Sequence, residues 1–304
     1  MEFNHQSVLA EEVLSFLDKK KSLKIIDATL GLGGHTLNFL KNRENISFIY
    51  CFDRDSDAIE IAKKRLEHFN KKIKYINDNF SNIQEHIKTK VDYIFADLGI
   101  SSYQIENDKR GFSFNSDERL DMRMDKNQDL DAHHIINNFS TNDISEILKN
   151  YGEERNHKKI ANQIGKNREI AEIFSCKQLS DLINRINYKK GKINSSTKSF
   201  MALRIAVNNE LESLEKFLNN STKLLKSSGK LMVISFHSLE DRIVKNFMKY
   251  LEKDCICPTS KMICDCEKTS ELKILTKKPI VAKSAEINQN SRSRSAKLRI
   301  GEII

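Results

Sequence analysis

From residue 23 onward, short apolar runs alternate with segments whose apolar positions recur at helical spacing. Leu23-Lys24-Ile25-Ile26 predicts a first strand ending at Asp27. A glycine-rich turn follows, Gly31-Leu32-Gly33-Gly34-His35, and then a helix through Phe39. Ile46 to Phe52 predicts a second strand with Asp53 at its end. Ala58, Ile61, Ala62, Leu66 and Phe69 then share one helix face, with Asp55 or Ser56 at the N-cap. Ile73-Lys74-Tyr75-Ile76 predicts a third strand, and Val91 to Ala96 a fourth that ends at Asp97. Strands alternating with helices in this way predict a parallel sheet covered on both faces.

The rhythm stops at about Asp108. From there to Thr197 the pattern is polar and helical in period, with helices expected over Thr141–Asn150, Lys158–Asn167 and Lys177–Ile186. A long helix is expected near Phe200–Leu218, a strand over Lys230–Phe236, a helix over Ser238–Leu251 and a last strand over Ala296–Ile300. Residues 1–107 and 198–304 are therefore expected to form an α/β core, and 108–197 an inserted all-helical domain that recognises substrate.

Composition adds a bias towards polyanions. Lys and Arg number 51 against 42 acids, for a net charge of +9, although a lysine-rich composition accounts for part of that excess. The start of the chain, Met1 to Gln6, has no basic segment followed by an apolar one, so no signal peptide is expected. No apolar run approaches the roughly 20 residues of a membrane span. The chain is expected to be soluble and cytoplasmic, with no membrane partner and with its six cysteines reduced or metal-bound.

In an open parallel sheet, ligands bind beyond the carboxyl ends of the strands where the strand order reverses. Glycines in the loop from Asp27 to His35 let a backbone approach a ligand and present amides at a helix start. Asp53 closes the second strand, where a carboxylate accepts hydrogen bonds from ribose hydroxyls. Nicotinamide and S-adenosylmethionine sites share that pairing. A dinucleotide fingerprint needs a third glycine at position 36, which is Thr36, and an adenosylmethionine has no pyrophosphate to cradle. Asn77-Asp78-Asn79-Phe80 and Asp97-Leu98-Gly99 end the next two strands in the same crevice. Phe80 serves as an adenine platform or as core, and His35 packs or caps the helix start.

Longer motifs then carry a specific resemblance. Arg110-Gly111-Phe112-Ser113-Phe114, Leu120-Asp121-Met122-Arg123-Met124-Asp125, Tyr151-Gly152-Glu153-Glu154-Arg155, Phe200-Met201-Ala202-Leu203-Arg204-Ile205 and Ile234 to Arg242 resemble signatures of the bacterial RsmH (MraW) family. The match runs from His5 to Ala296. The resemblance implies a class I (Rossmann-like) S-adenosylmethionine-dependent methyltransferase core with the helical insertion. It also implies methylation of the exocyclic N4 of a cytidine in the decoding region of 16S ribosomal RNA, within the small subunit. Carried over by position, the cofactor residues are Gly33, Gly34, His35, Asp53, Phe80, Asp97 and Gln104. Tyr103 and Ser291 depart from the pattern, each in a loop where proline is usual or, at Tyr103, proline or an apolar residue.

The cytosine amine is a weak nucleophile because its lone pair is delocalised into the ring. An acceptor for its protons localises that pair, and Asp97 is the candidate catalytic residue, with the carbonyls of Leu98-Gly99 as alternatives. The base has to be unpaired or flipped, with Tyr103 or Phe112 as stacking candidates. Ser238 with Asp241 predicts a capping box opening the next helix, beside a His237 that faces substrate. Arg292, Arg294, Lys297, Arg299 and the lysines of Lys189-Lys190-Gly191-Lys192 are candidate phosphate contacts, or else a solvated surface. Cys255, Cys257, Cys264 and Cys266 suit tetrahedral zinc or stand as free thiols in a loop, and the chemistry is assigned no metal. Cys51 and Cys176 are expected to be buried. The rival readings are a nicotinamide oxidoreductase and a non-catalytic RNA-binding assembly factor. A homodimer is left open.

Overall fold

The computed structural model describes residues 7–187, 194–258 and 264–304, so the lysines at 189, 190 and 192 and the first six residues lie outside the described part. The first elements are α1 (Ala10–Ser15), β1 (Leu23–Asp27), α2 (Gly34–Asn42), β2 (Ile46–Asp53), α3 (Ser56–Arg65), β3 (Ile73–Asn77), α4 (Ile83–His86) and β4 (Val91–Asp97). Helices follow: α5 (Ser102–Glu106), α6 (Ala132–Asn138), α7 (Thr141–Gly152), α8 (His157–Arg168), α9 (Cys176–Ile186), α10 (Thr197–Asn208) and α11 (Glu210–Leu224). The chain ends with β5 (Leu225–Ser235), α12 (Ser238–Glu252), β6 (Leu272–Ile274), β7 (Ile280–Val281), α13 (Ser284–Gln289) and β8 (Lys297–Ile303).

Two compact units result, one of residues 1–99 with 211–304 and one of residues 100–210. The division expected at 107/108 and 197/198 falls instead at 99/100 and 210/211. Packing is the reason. Phe200, Ala202, Leu203 and Val207 of α10 are buried in the core of the helical unit, and Ile100 packs against it.

The first unit is an eight-stranded sheet ordered β3-β2-β1-β4-β5-β8-β6, with β7 also on β8. The first five strands in that order are parallel, and β8 is antiparallel to β5, β6 and β7. Side chains alternate across each strand, so both faces of the central strands are apolar. Ile25, Phe95, Met232 and Ile234 face one core layer, while Ile26, Ile94, Leu231 and Val233 face the other. The order reverses between β1 and β4, and Asp27, Asp53 and Asp97 end β1, β2 and β4 at that edge.

In the helical unit, the long family-like motifs turn out to be packing devices. Arg110 is buried, and its guanidinium donates to the carbonyls of Arg123 and Met124 at 3.0 and 2.9 Å. Asn208 clasps the same loop, accepting from the Met124 amide and donating to the Met122 carbonyl, both at 2.8 Å. Gly111 has φ +69°, and a Cβ there would sit 2.8 Å from the Arg119 carbonyl oxygen. Among the described residues of this unit, the only β pairing is an isolated Arg119–Ser175 bridge.

Several elements depart from expectation. The helix expected over Phe200–Leu218 is broken at Asn209, whose φ of 47° is left-handed, so α10 and α11 are separate. Asparagine is among the few residues that adopt this conformation without a large penalty. The short elements α1, α6, α13, β6 and β7 were not foreseen, because none spans enough residues to show a period.

Candidate active site

The glycine turn is held from within. The Ala28 amide donates to the Phe95 carbonyl and the Leu30 amide to the Phe52 carbonyl, each at 2.8 Å, which ties the loop to β4 and β2. Gly33 is the N-cap of α2 at φ +76°, and a Cβ there would meet Leu66 Cδ1 at 2.9 Å. Only glycine satisfies both the left-handed backbone and that contact. Gly34 begins α2, and no side chain caps that helix start.

Asp53 braces this turn. Its Oδ2 accepts from the Gly31 amide at 2.7 Å and its Oδ1 from the Asp55 amide at 2.9 Å. Burial pushes its carboxyl up to about 6, against those two hydrogen bonds, and the nearby charges of Asp55 and Asp27 add to the rise. Each carboxylate oxygen has a second lone pair, so the group retains acceptor capacity for two hydroxyls. Asp55 is the N-cap of α3, as one of the two residues expected there, accepting from the Asp57 amide.

Asp97 and His35 meet at the switch point. The Asp97 amide donates to Thr29 Oγ1 at 2.6 Å, joining the tips of β4 and β1. His35 is 6% exposed and packs on Phe95 with ring centroids 4.5 Å apart. Its Nε2 lies 3.4 Å from Asp97 Oδ2. Neither ring nitrogen of His35 has a hydrogen-bond partner, nor has Asp97 Oδ1. Buried polar atoms left without partners are costly, and at a crevice they mark where a ligand's donors complete the set.

Phe80 follows β3, half-buried, with its ring edge-on to Phe217 at 5.0 Å and packed against one core layer. Beside it, Asp78 accepts from Asn82 and pairs with His86 Nε2 at 2.7 Å. Gly33, Gly34, His35, Asp53, Phe80 and Asp97 thus share the carboxyl edge of one sheet. Gln104 belongs to the helical unit, where it is buried in a capping box with Ser101: its amide donates to Ser101 Oγ, and its Oε1 accepts from the Ser101 amide at 3.0 Å.

Two carboxyl-edge residues carry more than the sequence suggested. Asp27 is fully buried, accepting from Thr36 Oγ1 at 2.6 Å, and burial raises its carboxyl despite that bond. The threonine that breaks the dinucleotide fingerprint is thus the partner of the β1 acid. Other expectations are corrected. The box at the start of α12 is His237 with Glu240, one residue before Ser238 and Asp241: Glu240 Oε2 accepts from the Phe236 and His237 amides at 2.9 and 3.4 Å. Asp241 is free of that duty and takes Arg299 in a two-pronged pair at 2.6 and 3.3 Å, with Lys297 at 3.4 Å. Arg299 is therefore a buried structural cation and not a phosphate contact. Phe112 is 7% exposed in the helical core, which removes it as a stacking surface. Tyr103 is half-buried, its hydroxyl accepting from Asn107 at 3.3 Å. Cys51 and Cys176 are buried as expected.

The sequence matches the MraW methylase family over residues 2–304. The chain belongs to that family. Among its relatives, a ribosomal RNA small subunit methyltransferase H of Caldicellulosiruptor saccharolyticus is 45% identical, covering 99% of this chain and all of the relative. The protein of that name in Clostridioides difficile is 40% identical over the whole of both chains. A solved structure described as a putative methyltransferase from Streptococcus mutans in complex with SAH aligns over 97% of this chain and 95% of that one, at 12% identity and TM-score 0.45. The cofactor of this methylase is S-adenosylmethionine, and the nicotinamide reading is set aside.

Proposed function

We propose that this chain transfers the methyl group of S-adenosylmethionine to the exocyclic N4 of a cytidine in the decoding region of 16S ribosomal RNA. Supporting the reading are the family and the names of its relatives, ribosomal RNA small subunit methyltransferases. The observation that carries the chemistry is the unpartnered Asp97 Oδ1 at the point where strand order reverses.

When bound, the cofactor supplies an electrophilic methyl on a sulfonium. The protein's task is to hold that donor and to align a poor nucleophile with it. Asp53 accepts hydrogen bonds from ribose hydroxyls, and the amides that open α2 at Gly34 face the donor's polar groups beside a turn that only glycine permits at Gly33, whose own amide is spent on the Leu30 carbonyl. Phe80 presents an apolar face to the adenine, and His35 lines the floor. Gln104 is assigned to the same cofactor set by its place in the family motif. Asp97 Oδ1 accepts a proton-bearing N–H of the cytosine amine and so concentrates the lone pair on N4. With the donor bound, the N–C bond would form as the S–C bond breaks, and Asp97 would take the released N–H proton and pass it to solvent. Positioning of this kind supplies a large part of a transfer barrier. The net charge of +9 favours the RNA partner, and the inserted helical unit is proposed as the element that recognises it.

The test is reconstitution. Purified chain, S-adenosylmethionine and either small subunits or naked 16S RNA are incubated, and the RNA is digested and analysed for N4-methylcytidine. A methyl group on another atom or another nucleotide rejects the proposed specificity; none on any RNA rejects the enzyme reading in favour of an assembly factor.

A further inference from the structure

The four cysteines that follow α12 play no part in methyl transfer, yet their side chains converge. Cys264 Sγ lies 3.5 Å from Cys255 Sγ and 3.5 Å from Cys266 Sγ, and 3.9 Å from Cys257 Sγ; Cys266 Sγ lies 3.9 Å from Cys255 Sγ. All four sulfurs lie within 4.8 Å of one another. Zinc–thiolate bonds are about 2.3 Å, so the edge of a ZnS4 tetrahedron is about 3.8 Å. A disulfide would bring one pair to about 2.05 Å, and the four are free. Four sulfurs at tetrahedral edge distances, contributed by two Cys-x-Cys pairs, are the donor set of a closed structural site, with no position left for water.

Two of these sulfurs also accept from backbone amides. The Ile256 amide donates to Cys266 Sγ and the Cys257 amide to Cys255 Sγ, each at 3.4 Å. Amide donors aimed at sulfur stabilise negative charge there, as they do around other anions.

We propose that Cys255, Cys257, Cys264 and Cys266 bind one zinc ion that clips the connection between α12 and β6. Binding Zn2+ displaces the four thiol protons to solvent and leaves a ZnS4 core of charge −2, with no redox change. The position defines the role. β5 ends at the cofactor edge, and α12 runs back along it to the opposite edge of the sheet. The chain leaves α12 there and re-enters at β6, whose Leu272 pairs with Ile303, next to the Glu302–Lys230 pair at the end of the β5–β8 ladder away from Ser235. The Glu271 amide also donates to the Leu251 carbonyl at 2.9 Å. The clip therefore sits across the sheet from Asp53 and Asp97. It ties down a long connection that precedes a three-residue edge strand, and closing such a loop spares its ordering cost. Its work is stability, independent of the methylation chemistry.

The test needs no activity measurement. Full-length chain purified without chelator is expected to carry about one zinc per chain by mass spectrometry of the metals. The Cys255→Ser/Cys264→Ser variant is expected to fall below about a tenth of that, with a lower melting temperature and RNA methylation retained below it. Cobalt exchanged into the wild-type chain is expected to show the intense visible bands of a tetrahedral thiolate site. Wild-type protein with negligible zinc and four rapidly titrating thiols overturns the proposal, as does a disulfide among these cysteines or stoichiometric iron in place of zinc. If the double variant fails to fold, the metal content and cobalt spectrum of the wild type still decide.

Discussion

Asp53 holds two backbone amides, yet burial keeps its carboxyl at about 6. The native pKa lies above the ordinary value of 3.8, so between about pH 4 and pH 6 the folded chain keeps a proton that the unfolded chain has released. Stability from this group therefore falls as pH rises through that window. On the proposed ribose role, cofactor affinity is expected to run the other way, because the hydroxyls need the charged acceptor. Titration calorimetry is expected to show affinity about tenfold higher at pH 7.5 than at pH 5, and no such change in Asp53→Asn. Asp53→Ala is expected to lose about 1.5–3 kcal/mol of cofactor binding, the worth of hydrogen bonds to a charged group; unaltered affinity removes the ribose role. For Asp97→Ala, single-turnover methylation at saturating cofactor is expected to slow about 100-fold or more, with RNA binding little changed. Normal turnover in that variant places the acceptor elsewhere, with the Leu98-Gly99 carbonyls next in line.

At the scale of elements, strands and caps carry the argument. The tie between α12 and β8 is the Asp241–Arg299 pair, in which burial raises the carboxyl but the hydrogen bonds and charge of Arg299, with Lys297, outweigh it and hold the carboxyl below its ordinary value. Such a group stabilises the fold above its unfolded pKa and loses that contribution as pH falls through its native one. Asp241→Ala strands a buried guanidinium and is expected to cost about 3–5 kcal/mol in chemical denaturation; a change of a few tenths would mean that Arg299 finds water or another acceptor. In the helical unit, Gly111→Ala puts a Cβ against the Asp121 amide and the Arg119 carbonyl at positive φ. Its denaturation midpoint is expected to drop by an amount worth about 2–3 kcal/mol, and a midpoint equal to wild type would show that the Arg110–Asp121 loop yields. Strands β1 to β4 were legible because their apolar runs, bounded by acids and glycines, end where the ladders end. The cap of α12 was misplaced by one residue because Ser238 and His237 both offer acceptors, and the choice rests on where β5 releases the chain. The break at Asn209 was hidden because the apolar spacing runs through it and only a backbone angle differs.

For the whole molecule, the sequence pattern located an α/β core interrupted by a helical insertion, but the unit boundaries moved outward on both sides. Periodicity marks where helices exist, whereas contacts decide which core they join, and α10 joins the helical one. The charge of +9 bears on the substrate at this scale. Binding to 16S RNA is expected to weaken linearly on a log–log plot against salt, with a slope of about −0.7 for each phosphate neutralised on single strands. An affinity independent of salt would refer recognition to shape and base contacts. No helix among the described residues is long and apolar enough to cross a membrane.

By itself the sequence determined the alternation of strand and helix, the glycine turn, and the acids at the strand tips, because each is written in contiguous residues under local steric and hydrophobic rules. It also carried the family motifs. What only tertiary structure decided is which of those residues are partnered. Arg299 has the composition of a phosphate ligand and is neutralised by a residue 58 positions away in the chain. Asp97 resembles the other strand-tip acids and is left with an oxygen that nothing satisfies. Four cysteines in a polar stretch have their sulfurs within 4.8 Å of one another. Hydrogen bonding and burial are properties of neighbours in space, and neighbours in space are what a linear chain does not state.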